Sequence, residues 1–92
     1  QVGDSATAIA SLQELFETRR RLLGEEHTET VAGAWNLVEA YEQLGRKAEA
    51  TELRERYMAP LLAANPAQLS EPQRAMADAI RADRRPGKVA MR

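Results

Sequence analysis

Residues 23–50, LGEEHTETVAGAWNLVEAYEQLGRKAEA, decide the fold, because two glycines bracket one amphipathic helical pattern. Between them, apolar side chains recur at three- and four-residue steps, at Val31, Ala34, Leu37, Val38 and Tyr41. This spacing puts them on one face of a helix, which we expect to run from about Glu29 to Leu44. Thr28 is a suitable N-cap, and Gly45 a suitable stop, since glycine readily adopts the left-handed conformation that ends many helices.

The preceding residues, 3–24, predict another helix. Its apolar face consists of Ala8, Ile9, Leu12, Leu15, Phe16, Leu22 and Leu23. Asp4 or Ser5 can cap its start, and Gly24 ends it. No earlier helix is present to pair with it in the 92 residues, so we expect part of this face to need a partner from elsewhere.

Two proline sites shape the next helix, which begins near Arg46. Its apolar positions are Ala48, Ala50, Leu53, Tyr57 and Leu61. Pro60 should kink or end it, because an interior proline lacks the N–H group and clashes with the preceding turn. Asn65-Pro66 closes the segment, so the two central helices form a hairpin over residues 28–65 with a kink or break near Pro60.

A last helix is predicted over residues 70–85. Ser70 and Gln73 have the spacing of a capping box, in which each side chain accepts from the backbone N–H of the other residue. The apolar face of this helix consists of Ala75, Met76, Ala79 and Ile80. A Pro-Gly pair then opens a short tail over residues 86–92. No segment shows the alternation of a strand, so the fold class is all-α.

Shifting the sequence by 42 residues reveals an internal repeat. Gly3 falls on Gly45 and Gly45 on Gly87, while Ala8 falls on Ala50. In this register the chain contains the second helix of one repeat, one complete hairpin, and a first helix of a degenerate third repeat that acts as a cap. A single hairpin of this kind cannot bury its apolar face alone, so stacked neighbours must supply the core.

Several landmarks keep the spacing of a known family. They are Leu23-Gly24-Glu25-Glu26-His27, Thr30, Asn36-Leu37, Tyr41, Gly45-Arg46 and Ala48-Glu49-Ala50. This set resembles the kinesin-light-chain type of tetratricopeptide repeat (TPR), with its L-G-x-x-H-P-x-T entry, N-N-L-A-x-x-Y first helix and G-R-x-x-E-A second helix. The resemblance implies antiparallel helical hairpins stacked as a short TPR-like solenoid of about four helices. Thr28, Tyr57 and Pro60 depart from the pattern and suggest that the regular array is ending.

Composition excludes several kinds of site. The chain has no cysteine, so disulfides, thiolate catalysis and cysteine-based zinc sites are excluded. We expect the single histidine, His27, to cap or pack at a turn, and the glutamates lack the spacing of metal ligands. Phosphate-binding glycine loops and nucleophile elbows are missing too. We therefore expect no catalytic residues, no metal and no cofactor, with any catalytic domain outside these residues.

Charge is distributed unevenly along the chain. Residues 1–73 carry seven basic and twelve acidic side chains, a net −5, whereas residues 74–92 carry six basic and two acidic ones, a net +4. Cations at a helix end suit the helix dipole, and the same residues can bind acidic partners. A nucleic-acid role is disfavoured because no aromatics are interleaved with the cations. No apolar run approaches the ~18 residues of a membrane span, so we expect a cytoplasmic protein without a membrane partner.

Six residues are the candidate binding positions. The resemblance aligns Asn36 with an asparagine that, in related repeats, hydrogen-bonds the backbone or terminal carboxylate of a bound peptide; the alternative is an amide that bridges adjacent helices. Trp35 is either an anchor in the same groove or a packing residue between repeats. The remaining four are Glu39, Gln43, Arg74 and Arg81, because the 42-residue register puts an arginine row opposite the acidic side of the central helix.

These observations predict a protein–protein interaction module or scaffold, the C-terminal part of a larger TPR-containing protein that binds a peptide or partner surface through a concave helix face. Two alternatives remain open. The exposed terminal helix faces can form a homo-oligomer, which would make this a structural segment. The chain also resembles regulatory TPR tails on bacterial multidomain signalling proteins such as Ser/Thr kinases.

Overall fold

The computed structural model describes residues 5–82, with side chains from Thr7 onward. Its elements in chain order are α1 (Ser5–Leu23), α2 (Thr28–Gln43), α3 (Lys47–Leu53), a π-helical turn (Arg54–Met58), α4 (Ala59–Ala63), a 3₁₀ turn (Pro66–Gln68) and α5 (Glu71–Arg81). None of the described residues lies in a strand, which confirms the all-α prediction. The backbone stays helical from α3 through the π-turn into α4, so the described part of the chain contains four helices.

Both ends of α2 are set by local chemistry. Its N-cap is His27, whose Nδ1 accepts a hydrogen bond from the Glu29 N–H at 3.1 Å, so the prediction of Thr28 as N-cap was wrong by one residue. The C-terminal stop at Gly45 is confirmed. Gly45 has φ 77°, and the N–H of Arg46 donates to the carbonyl of Tyr41 at 2.8 Å. This pair of features is a Schellman motif, which satisfies carbonyls that the helix itself leaves unbonded.

The helix that contains Pro60 does not end there, contrary to one of the two predicted outcomes. The backbone widens into the π-turn just before the proline, and the N–H of Ala59 donates to the carbonyl of Arg54, five residues earlier. Pro60 has no N–H to donate and crowds the carbonyl four residues before it in a regular α-helix, so a wider turn suits it. The helix continues to Ala63 and ends before Asn65-Pro66, as predicted.

The core is organised around α2. This helix packs against α1 on one side, against α3 and the π-turn on another, and against α5. The buried apolar residues are Ile9, Phe16, Val31, Ala34, Trp35, Leu37, Val38, Tyr41, Ala50, Tyr57, Met58, Leu61 and Ala77. The rings of Phe16 and of Tyr57 from the π-turn form an edge-to-face pair, with centroids 5.1 Å apart and planes at 90°. A Cβ at Gly33 would lie 3.3 Å from the Phe16 ring, so the small residue lets α1 approach α2 closely.

The apolar face predicted for α1 is only partly used in the core. Ile9 and Phe16 are buried, but Leu15, Leu22 and Leu23 are 47%, 71% and 41% exposed. The reason is geometric. The predicted face spans more of the helix circumference than α2 can cover, and no other described helix contacts the remainder extensively.

The last helix begins as predicted, with a complete capping box. Gln73 N–H donates to Ser70 Oγ at 3.2 Å, and Ser70 N–H donates to Gln73 Oε1 at 2.8 Å. Of its predicted apolar face, Met76, Ala79 and Ile80 pack against the core, whereas Ala75 is exposed and Ala77, which was not predicted, is buried. The end of the predicted 70–85 helix and the tail over 86–92 lie outside the described residues.

Candidate binding surfaces

One side of α2 is left uncovered by the other described helices. Helical steps of roughly 100° per residue put Glu29, Ala32, Asn36, Glu39 and Gln43 together on the side opposite the buried Ala34 and Val38. We call these five residues the α2 strip. All are half-buried or exposed. At the N-terminal end of the strip, Glu29 lies 3.9 Å from Arg19 of α1, which is a weak, exposed ion pair.

Asn36 lies in the middle of the α2 strip. Its side chain is half-buried, and no hydrogen bond involves its amide group among residues 5–82. An asparagine amide has two N–H donors and a carbonyl acceptor, so it can bond both polar groups of an extended backbone. Within the described part of the chain, Asn36 does not bridge two helices through a hydrogen bond, which was the alternative prediction for this residue.

Trp35, the neighbour of Asn36, belongs to the core. Its side chain is 1% exposed, and it is the largest of the fully buried side chains. The interpretation of Trp35 as an exposed anchor is therefore wrong. One residue along a helix is a rotation of roughly 100°, which is enough to turn the indole into the core while Asn36 stays on the uncovered side.

The two predicted arginines of α5 donate to backbone carbonyls of the preceding segment, Arg74 to the α4–α5 connection and Arg81 to α4. Arg74 Nη1 donates to the carbonyls of Leu69 at 2.6 Å and Pro66 at 3.2 Å. Arg81 Nη2 donates to the carbonyl of Leu62 at 3.2 Å, near the end of α4, where carbonyls lack helical partners. These bonds give both guanidinium groups a structural role, and the structure does not bring them together with Glu39 or Gln43 of the α2 strip.

A second surface, which the sequence did not reveal as a site, lies around the α1–α2 loop. Two adjoining depressions share Glu25, Glu26 and Gln73. One of them, of about 340 Å³, is also lined by Val31, Arg56, Tyr57, Pro60, Leu61, Ala64 and Leu69. The other, of about 430 Å³, is also lined by Leu23, Gly24 and His27. We call the two together the loop groove.

An ion network borders the loop groove on its apolar side. Glu25 accepts from Arg56 Nη2 at 2.9 Å and lies 3.7 Å from Arg20, which in turn pairs with Glu17 at 2.7 Å. The hydrogen bond and the charge of Glu17 raise the pKa of Arg20 further above its usual value. Glu25 is therefore shared between two cations. Its charge is already neutralised by the protein.

Tyr57 lies beside this network, and the π-turn brings it there. The residue is only 6% exposed, and its ring lies 5.4 Å from the Arg56 guanidinium. No hydrogen bond to its hydroxyl is present within residues 5–82, although the side chain lines the groove. Burial raises the pKa of Tyr57 above its usual value, while Arg56 acts in the opposite direction, so the phenol is neutral at physiological pH.

Glu26 differs from Glu25 in having no cation beside it. Its side chain is exposed and forms no ion pair with another residue of the described chain. Its backbone carbonyl lies 3.5 Å from Gln73 Nε2, at the upper limit of a hydrogen bond. The groove thus contains one carboxylate, that of Glu26, which is unpaired within residues 5–82 and lies between two apolar areas. Tyr57 and Pro60 stood out in the sequence as departures from the repeat pattern, but nothing there indicated that Glu26 and Gln73 would meet them.

No family model, curated protein or solved structure matches this chain. Within the described helices, none combines the length and apolarity that a membrane span needs. The same residues contain no group of three or more His, Cys, Asp or Glu side chains that could hold a metal ion.

Proposed function

We propose that this chain is a protein-interaction module, a short TPR-like solenoid that binds an extended segment of a partner protein along the α2 strip. One observation carries the proposal: Asn36 presents an amide without hydrogen bonds among the described residues, in the middle of the only side of α2 that the described helices leave uncovered. The Asn36–Leu37, Tyr41 and Gly45–Arg46 landmarks support a repeat of this kind by resemblance.

The chemistry of the α2 strip suits a peptide backbone. Ala32 leaves space next to Asn36, while Glu39 and Gln43 add polar groups further along the helix. A partner strand that bonds the Asn36 amide replaces bonds to water, for a net gain of about 0.5–1.5 kcal/mol for each hydrogen bond. Such binding depends on the main chain of the partner and tolerates many side chains.

The test is selection from a displayed random-peptide library on the immobilised 92-residue chain, followed by calorimetric titration of the enriched peptides. Asn36→Ala should weaken binding by about tenfold, corresponding to two lost hydrogen bonds. Thr51→Ala is the matched control, because Thr51 is exposed on α3, away from the α2 strip. If selection enriches no peptide, or if Asn36→Ala binds the enriched peptides as tightly as the control does, the α2 strip is not the binding surface.

A second candidate function is self-association through α1. Leu15 and Leu22 lie two helical turns apart on one side of the helix and are 47% and 71% exposed. Large exposed apolar side chains in a row favour contact with another apolar surface. Sedimentation equilibrium over a hundredfold range of concentration tests this. A mass that rises toward the dimer, and returns to the monomer in a Leu15→Glu, Leu22→Glu variant, supports it, whereas a monomer at every concentration contradicts it.

A further inference from the structure

The geometry points to the loop groove as a second binding surface, which takes an extended peptide with an apolar–x–basic–x–apolar pattern, where the basic residue is Lys or Arg. The α2 strip and the loop groove share no residue. The two surfaces can therefore be tested separately, and neither proposal depends on the other.

The apolar ends of the groove determine the outer residues of the pattern. One end is a depression floored by Val31, Tyr57 and Leu61, whose volume of about 340 Å³ is enough for a large aliphatic or aromatic side chain. At the other end, Leu23 is 41% exposed and lines the adjoining depression. An extended chain that covers both ends removes two separate apolar areas from water, which is favourable in proportion to the area covered.

The charge between these ends determines the middle residue. Glu25 and Glu26 are common to both depressions, but Glu25 is already paired with Arg56 and Arg20. Glu26 is unpaired among residues 5–82, so the shared part of the groove has one negative charge that the described protein leaves uncompensated. A lysine or arginine between two apolar side chains complements that charge, whereas an acidic residue is repelled.

The polar groups of the groove can hold the main chain of such a peptide. Tyr57 is nine-tenths buried, and its hydroxyl lacks a hydrogen bond within the described chain although it lines the deeper depression. Gln73 has an Nε2 group whose only hydrogen bond among residues 5–82 is 3.5 Å long. Because side chains alternate along an extended strand, residues two apart point to the same side, which produces the spacing of the pattern.

The probe is a synthetic nine-residue peptide with Leu-Ser-Lys-Ser-Leu at its centre. It is titrated into the ¹⁵N-labelled 92-residue chain and followed by amide chemical shifts. We expect shift changes at residues that line the loop groove, and binding that weakens as salt increases. A peptide with glutamate in place of the lysine should bind at least fivefold more weakly, because it places a carboxylate against Glu26.

Two variants locate the site, and two others serve as controls. Tyr57→Phe should weaken binding by roughly 2- to 10-fold through the lost hydroxyl, and Glu26→Gln by roughly 2- to 5-fold through the lost exposed ion pair. Glu55→Gln, a change of the same type at an exposed position of the π-turn, should bind like the unmodified chain. Asn36→Ala should also leave this peptide's affinity unchanged, so the two proposed surfaces fail or succeed independently.

Four results would overturn the proposal. They are no binding of the lysine peptide at millimolar concentration, equal binding of the lysine and glutamate peptides, shift changes confined to the α2 strip, and unchanged affinity in the combined Tyr57→Phe, Glu26→Gln variant. A dilution series without peptide tests whether a second copy of the chain occupies the groove instead. Groove shifts that depend on protein concentration would assign the surface to a second copy of the chain.

Discussion

Replacing Trp35 tests most directly how this chain divides its residues between core and surface. Trp35 is 1% exposed, in the centre of the core that α2 builds with its neighbours. Replacing a buried aromatic residue by alanine costs about 3–5 kcal/mol, because the transfer energy of the ring is lost and a cavity remains. A chain of 92 residues has a free energy of unfolding of about 5–14 kcal/mol. Trp35→Ala therefore removes a large share of the stability.

Urea denaturation followed by circular dichroism measures this loss. With a slope of about 1–1.5 kcal/mol per molar urea for a chain this small, the midpoint should fall by at least about 2 M, or the variant should be unfolded without urea. Trp35 is the only tryptophan, so its fluorescence gives an independent reading in the unmodified protein. The native emission should lie at shorter wavelength than the unfolded emission and resist quenching by acrylamide.

Two control variants show whether the loss of stability comes from removing a buried ring. Trp35→Phe keeps an aromatic ring and should lose less than the alanine variant, since less volume is removed. Asn36→Ala changes the next residue on the uncovered side of α2 and should alter stability by no more than about 0.5 kcal/mol. A midpoint shift below about 0.5 M for Trp35→Ala, or a native emission equal to the unfolded one, would refute the placement of Trp35 in the core.

Two further predictions concern the hydroxyl groups of Thr30 and Tyr57. Thr30 is fully buried, and its Oγ1 has no hydrogen-bond partner among the described residues. Thr30→Val should therefore raise the free energy of unfolding by about 1 kcal/mol in urea titrations, and a loss of stability would show that the hydroxyl is bonded. Burial raises the pKa of Tyr57, so the folded state holds the phenolic proton more tightly than the unfolded chain does. The contribution of this proton to the stability of the fold is complete below the pKa of Tyr57 in the unfolded chain, near 10. It is lost as pH rises through the pKa of Tyr57 in the folded protein. Spectrophotometric titration of Tyr41→Phe, which leaves one tyrosine, should give a midpoint above about 10, and a midpoint at or below that value would contradict the effect of burial.

Much of the helical framework could be predicted because its signals are local. Glycine at Gly24 and Gly45 ends two helices, with φ of 93° and 77°, and the Ser70–Gln73 capping box starts another. These features depend on residues within one turn of each other, so a sequence pattern contains them in full. The observed N-cap of α2, His27, lies one residue before the predicted one, Thr28. The sequence did not distinguish them, because histidine, through Nδ1, and threonine can both accept the required backbone hydrogen bond.

The repeat pattern was less informative about which apolar residues are buried. A helix has a continuous circumference, and only the positions of its neighbours decide which part is covered. Leu15 and Leu22 fit the predicted stripe of α1 yet face away from α2, whereas Ala77 of α5 is buried without having been expected. Periodicity alone could not distinguish these outcomes.

By itself, the sequence determined that the described part of the chain folds into helices without strands, where most of these helices begin and end, and that cysteine chemistry is excluded, because composition and short-range hydrogen bonding decide these properties. Only the tertiary structure determined which residues are buried and which come together on the surface. It placed Trp35 in the core, directed Arg74 and Arg81 to backbone carbonyls of α4 and of the α4–α5 connection, and brought Glu26, Tyr57 and Gln73 to one groove. Such groups are far apart in sequence, and their meeting depends on how α2 packs against its neighbours and on a π-turn that helical periodicity does not predict.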